Sequence, residues 1–196
     1  MKIVIDGLIG SGKSTQVALL SEISSLPVVK EPIQDWPLEL FYDDPGRWGF
    51  LMQMAVLNSY LDMEHVDGIF ERCPESTKQV FWKNLVDGGV VTDTENVIFS
   101  RISNKLTWNP TCFIYLDKKP ELCYEHIKTR FQEGDSKISL EYLQTLKRHY
   151  DAFISGCDGI HVVDANRDID AIHADIVKII KPILVKDTWS ITNVLM

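Results

Sequence analysis

The chain has 196 residues, 45% of them hydrophobic and 24% charged, with a formal net charge of −8. That length suits one α/β domain with a sizeable core, and the ordinary globular composition means that disorder is not the default. The acidic surplus is the reverse of the basic face that duplex binding needs, so no nucleic-acid partner is expected. No apolar run reaches membrane-spanning length, and residues 1–6 are too short for the apolar core of a signal segment. Cys73, Cys112, Cys123 and Cys157 show no C-x-x-C spacing and read as reduced thiols, and the histidines have no zinc-type spacing with them. A cytoplasmic protein acting on a small molecule is the expectation.

In chain order, Ile3, Val4 and Ile5 form a short apolar run bounded by Gly7, the pattern of a buried central strand. A helix from about Lys13 follows, with Leu19, Ile23 and Leu26 as its apolar row and Pro27 as its stop. Residues 28–31 read as a second strand, 45–65 as a long helix buried on more than one side, and 68–72 as a third strand. Ile98, Ile102 and Leu106 recur every four residues on a further helix. Residues 112–117 and 160–164 are the fourth and fifth strands. Pro120 suits a first helical position, Ser139 a cap ahead of a face made of Leu143, Leu146, Tyr150 and Phe153. Ile172, Ile176, Ile179 and Ile183 form the stripe of the last helix. Five short apolar strands alternating with helices predict an α/β fold, a five-stranded parallel sheet flanked by helices in three layers. No internal repeat or linker interrupts the chain, so residues 1–196 read as one domain, with 187–196 left unassigned.

Residues 7–14, Gly-Leu-Ile-Gly-Ser-Gly-Lys-Ser, match G-x-x-x-x-G-K-[ST] between a strand and a helix. Gly7, Gly10 and Gly12 allow a tight turn whose N–H groups, with that of Ser11, face phosphate oxygens, and the helix N-terminus adds partial positive charge. Lys13 would reach the β- and γ-phosphates, Ser14 would ligate Mg²⁺, and Thr15 completes the donor set. ATP and Mg²⁺ are the expected cofactors of this P-loop NTPase-type fold. The loop alone names no reaction. A GTPase would need a guanine-reading Asn-Lys-x-Asp after a strand; residues 104–107, Asn-Lys-Leu-Thr, lack the Asp and read as a helix end.

Glu31 follows the second strand and Glu71-Arg72 ends the third, on the rim where open α/β sheets bind ligands. A carboxylate at a strand end is ordinarily a solvated charge. Here Glu31 is placed to take a proton from an attacking hydroxyl, and the Glu71-Arg72 pair offers an acid near Mg²⁺ and a fixed guanidinium for phosphate.

Several spaced motifs share one pattern: Glu31-Pro32 with Trp36; residues 42–48, Tyr-Asp-Asp-Pro-Gly-Arg-Trp, with Gln53; Glu71-Arg72-Cys73; and residues 123–143, ending Leu-Glu-Tyr-Leu. In these the sequence resembles the deoxynucleoside kinase family, from Lys2 to about Ile183. The resemblance implies transfer of the ATP γ-phosphoryl group to the 5′-hydroxyl of a deoxynucleoside by a homodimer. It makes Glu31 the general base, Arg72 a contact to that hydroxyl and the moving phosphoryl, and Glu71 a partner of Ser14 on Mg²⁺. Tyr42 and Asp135 would bind the sugar 3′-hydroxyl, Gln53 would read the base, and Phe81 would stack on it with Trp36 at its edge and Met52 beside it. A lid over about 128–138 would carry Arg130 to the phosphates, its glycine-bearing stretch 131–137 serving as a flap that excludes water.

The departures from the pattern are Cys73 for a serine, an Asp135 shorter than the usual glutamate, and a lid whose arginine positions hold His126, Arg130 and Gln132, with Lys128 and Lys137 nearby. Tyr60 and Thr77 stand where a charged pair would crowd a thymine methyl, so pyrimidines, thymidine and deoxycytidine, are the expected substrates. Thymidylate kinase is the nearer alternative, but its phosphorylated substrate calls for an arginine after the second strand, where this chain has Gln34 and Asp35. A non-catalytic nucleotide-binding module is the second alternative, motivated by the arginine-poor lid and opposed by Glu31, Glu71 and Lys13 together.

Overall fold

The computed structural model describes residues 1–106, 108–130 and 134–192, with side chains as far as 184. Thr107, residues 131–133 and residues 193–196, on which several of the expectations above fall, lie outside the described residues.

Five strands, β1 (Lys2–Gly7), β2 (Val28–Val29), β3 (Gly68–Glu71), β4 (Cys112–Asp117) and β5 (Ile160–Asp164), form one sheet in the order β2-β3-β1-β4-β5. Every pairing is parallel. The helices are α1 (Lys13–Ile23), α2 (Leu38–Asp43), α3 (Pro45–Asp62), α4 (Pro74–Ser76), α5 (Lys83–Asp87), α6 (Asp93–Ser103), α7 (Pro120–Arg130), α8 (Leu140–Ser155) and α9 (Ile169–Thr192). The inner strands β1 and β4 are largely apolar because both their faces are covered, whereas the edge strand β5 is mostly exposed. Along β1, Ile3 and Ile5 enter one core while Val4 enters the other; along β4, Ile114 and Leu116 oppose Phe113 and Tyr115. This is the period-two alternation of a strand buried on both sides. Each fully buried Ile or Val contributes roughly 1.5–3 kcal/mol of hydrophobic stabilisation relative to exposure.

Pro120 opens α7, and Ser139 caps α8 by accepting from the Tyr142 N–H, both as expected. Two helix faces are rotated from the expected rows. In α1 the inward residues are Val17 and Leu20, and Ile23 is exposed. The phosphate loop sets this rotation, since Lys13 and Gln16 are buried at the helix start. In α6 it is Phe99 that turns inward, stacked on Trp82 at 3.9 Å between centroids, while Ile98 is exposed; the larger ring takes the core position. The last helix runs past its expected end. Residues 187–192, left without an element in the sequence reading, continue α9, which Ile172, Ile176 and Ile180 anchor on the sheet. Between α4 and α5 the chain forms a π-helical turn, Thr77–Trp82, a rare conformation that no sequence pattern announced.

Candidate active site

The first two strands of the β2-β3-β1 half and the loop after β1 end on one rim. Gly7 closes β1, Glu31 lies two residues past β2, Glu71 closes β3 and Arg72 follows it directly. Parallel register aligns Ile5 with Glu71, and the Arg72 N–H donates to the Ile5 carbonyl at 3.1 Å. Glu31, Glu71, Arg72 and, from the start of α1, Lys13 therefore meet around one cleft of about 1070 Å³, part of it open to solvent.

The phosphate loop has the backbone that its glycines imply. Gly10 has φ 81 and Gly12 φ 100, in the left-handed region. At Gly10 a Cβ would also sit 2.6 Å from the Cys123 carbonyl oxygen of α7. Gly10→Ala is therefore expected to destabilise the fold by more than about 1–2 kcal/mol, the left-handed cost alone, as read from denaturant unfolding; an unchanged midpoint would mean that the loop sits clear of α7. The Lys13 ammonium is buried and donates to the carbonyls of Leu8 at 2.8 Å and Gly7 at 3.2 Å. Burial pushes its pKa down to about 8, with the Arg72 charge acting the same way. Ser14 Oγ donates to Glu71 Oε1 at 2.8 Å.

Opposite Lys13, Arg72 donates through Nη1 to Glu31 Oε2 at 2.7 Å and through Nη2 to the Gly7 carbonyl at 3.3 Å. Its backbone has φ 66, the single positive φ outside glycine among the described residues. Strained backbone of this kind persists where surrounding contacts over-determine it. Burial raises the Glu31 carboxyl above its ordinary pKa, and the Arg72 charge offsets only part of that rise.

The rest of the cleft is apolar with a few polar atoms. Trp36, Tyr42, Met52, Gln53, Thr77 and Phe81 all line it, as do Arg130 and Asp135. Thr77 and Phe81 reach it from the π-helical turn, and the Phe81 ring lies 5.0 Å from the Arg72 guanidinium carbon. Gln53 Oε1 and Trp36 Nε1 are buried without a hydrogen-bond partner among the described residues. Such groups cost about 1–3 kcal/mol each unless something satisfies them, so the cleft wall is poised for a polar ligand. Burial raises the Tyr42 hydroxyl to about 12, so it stays a neutral donor.

Three expected positions differ. Tyr60 does not line the cleft; its ring is buried edge-on against Trp108, at 5.2 Å, one turn of α3 past Val56, which does line it. The aromatic core claims that side chain, so the expected Tyr60 wall is formed by Val56 and Thr77 instead. Arg130 and Asp135, expected on different parts of a ligand, pair with each other through two bonds of 2.6 and 2.7 Å. His126, at an expected lid position, bonds through Nδ1 to the Gly10 carbonyl at 2.9 Å. Sequence reasoning missed Tyr142 and Ile138 of the lining and the buried Asp6 and Tyr150 beneath it; these are apolar or core-facing positions, where nothing in the pattern separates packing from function.

A family model described as deoxynucleoside kinase matches residues 3–187. The chain is 34% identical over 163 residues to the deoxyadenosine kinase of Dictyostelium discoideum, covering 78% of this chain and 66% of that one. It is 30% identical over 192 residues to the thymidine kinase of Ictalurid herpesvirus 1 (strain Auburn), covering 90% and 84%. Its fold superposes on the deoxyadenosine kinase of M. mycoides, solved with products dCMP and a flexible dCDP bound. The TM-score is 0.85 and the identity 28%, over 93% of this chain and 100% of that one.

Proposed function

The chain belongs to the deoxynucleoside kinase family, and on that premise we propose that it moves the γ-phosphoryl group of ATP onto the 5′-hydroxyl of a deoxynucleoside with Glu31 as general base. It is a P-loop kinase of deoxynucleosides. The observation that carries the finer reading is the Glu31–Arg72 pair at 2.7 Å in the same cleft as Lys13. Phosphoryl transfer asks the protein mainly for positioning and charge neutralisation. Glu31, desolvated and raised in proton affinity, is suited to take the hydroxyl proton as the new bond forms. Arg72 and Lys13 bracket the space between acceptor and phosphate loop, and Arg130 closes it from α7. Ser14 Oγ and Glu71 Oε1, adjacent hard oxygen donors, fit Mg²⁺; when bound, that ion neutralises phosphate charge. A second hollow, lined by Thr15, Gln16, Lys118, His126 and Arg167 beside Ser11 and Gly12, suits the base and ribose of the donor.

Tyr42 and Asp135 are positioned for the sugar 3′-hydroxyl, and Gln53 for the base. An amide offers one acceptor and one donor and pairs with N3 and the 4-substituent of either pyrimidine. With Met52, Trp36 and Phe81 around it, the base site favours a single ring, and thymidine meets only Val56 and Thr77 where a charged wall would exclude its methyl. The 196 residues act as one kinase domain whose lid spans about 128–138. Exposed Leu51 and Leu61 of α3 and exposed Val97 and Ile98 of α6, two helices that pack together, support a homodimer. Four free thiols support a reducing, cytoplasmic setting, and among the described residues no helix is long and apolar enough to cross a membrane.

A coupled assay with ATP across the four deoxynucleosides and their monophosphates tests this reading. Thymidine and deoxycytidine are expected to lead in kcat/KM; one methyl in an apolar pocket is worth about 1–3 kcal/mol, so their margin is small. Phosphorylation of thymidine monophosphate with none of thymidine would hand the site to a monophosphate kinase. A purine at the top of the ranking would show that the wall of Met52, Val56 and Thr77 leaves more room than one ring needs.

A further inference from the structure

Beneath the cleft floor lies a carboxylate that no step above uses. Asp6, the last residue of β1 before Gly7, is fully buried and lines neither hollow. Its Oδ1 accepts from the Gly7 N–H at 2.7 Å and from the Tyr150 hydroxyl at 2.7 Å. Its Oδ2 and the Arg72 Nε are both buried without a hydrogen-bond partner among the described residues, and Nε lies 3.9 Å from Asp6 Oδ1. The guanidinium of Arg72 is thus bracketed by two carboxylates, Glu31 on the cleft side and Asp6 on the core side, with the Phe81 ring over it.

The two carboxylates differ in what the reaction does to them. If Glu31 takes the acceptor's proton, it loses its charge at the moment the phosphoryl group moves. A guanidinium cannot shed its own proton, and a buried cation left without a counter-charge is costly. Asp6 is buried and lines no part of the cleft, so the acceptor's proton does not pass to it. The same side chain holds the first peptide of the phosphate loop. We propose that Asp6 is a positioning residue: the fixed counter-ion that keeps Arg72 in register with the phosphate loop while Glu31 is engaged by the acceptor, with Tyr150 holding Asp6 in place. The inference rests on the base role of Glu31.

The test is steady-state kinetics with thermal unfolding on the full chain, for Asp6→Asn, Asp6→Glu, Tyr150→Phe and Glu31→Gln. Asp6→Asn keeps the shape and acceptor oxygen but removes the charge. Its kcat is expected to fall roughly 10–100-fold, the scale of an ångström-level misplacement, with both KM values within about threefold of the parent. Asp6→Glu restores the charge and should recover most of that loss, even where its unfolding temperature drops as far as that of Asp6→Asn. Tyr150→Phe removes the hydroxyl that Asp6 accepts from at 2.7 Å and that also reaches the Gly7 carbonyl at 3.2 Å, leaves the Asp6 charge in place, and should lower kcat less, again without moving KM; it carries the test if Asp6→Asn does not fold. Parental kcat in Asp6→Asn, or equal losses in the Asn and Glu variants, would overturn the positioning role. With Glu31→Gln impaired, that result removes Asp6 alone; parental turnover in Glu31→Gln removes the base and the ground for Asp6 together.

Discussion

In Glu31→Gln, kcat is expected to fall by about 10²–10⁴-fold, the usual contribution of a general base, while KM for the nucleoside stays within about threefold, because a loss confined to the transition state leaves ground-state binding intact. Glutamine keeps the length and one acceptor oxygen of Glu31 but cannot take a proton. Burial lifts the pKa of Glu31 above the ordinary carboxylate range. Only the ionised form is a base, so turnover should fall as pH drops through that raised pKa. The acid limb of the parent profile therefore lies above that of a free glutamate, and it should be missing from the variant. Glutamine also weakens the bond to Arg72, 2.7 Å in the parent. Glu31→Asp separates the two effects, since it keeps the charge and the basicity at a shorter reach. A pH–rate profile of all three proteins decides the matter: turnover in Glu31→Gln within about threefold of the parent, well under the base-catalysis range, would take the proton-acceptor role from Glu31.

The parts of this site that were legible in the sequence are those tied to local chain geometry. The phosphate loop is read from glycines whose positive φ angles only that residue adopts cheaply, and Glu31 and Arg72 from their places at strand ends, which parallel topology must bring to one rim. What depended on tertiary packing was read less well. The rotation of α1 follows from the burial of Lys13 and Gln16, which an apolar-row count discards as polar. Tyr60 was placed on the ligand wall by analogy of position, but Trp108 competes for its ring and holds it in the core. The π-helical turn carrying Thr77 and Phe81 has no compositional signature, so both residues were found only through the family resemblance. Asp6 is the sharpest case. A single acid inside an apolar strand gives no periodic signal, and its meaning emerges only once Arg72, sixty-six positions later in the chain, is seen at 3.9 Å.

The proposed lid supplies the second large effect. Arg130→Ala is expected to reduce kcat by about 10²–10³-fold, on the scale of removing one donor that meets developing charge. The lid is poor in arginine, and the structure narrows the field further. Lys128 is exposed and pairs with Glu125 at 2.8 Å; Lys137 pairs with Asp43 at 2.5 Å. Neither lines the cleft, whereas Arg130 does. Lys128→Ala and Lys137→Ala should therefore leave kcat within about threefold of the parent, as screened surface ion pairs contribute little. Arg130 is held by Asp135 through a bidentate pair, so in the proposed role its guanidinium turns from that carboxylate toward phosphate oxygens as the donor binds, or is shared between them. Arg130→Lys keeps the charge but loses the two-pronged geometry, and should recover only part of the loss. If Arg130→Ala failed by unfolding, its unfolding temperature would drop with kcat and Arg130→Lys would restore both together. Rescue of stability without rescue of kcat places the planar fork itself in the transition state. Equal, small effects from all three alanine variants would show instead that the lid neutralises phosphate charge diffusely, and that Lys13 and Arg72 carry the transfer between them.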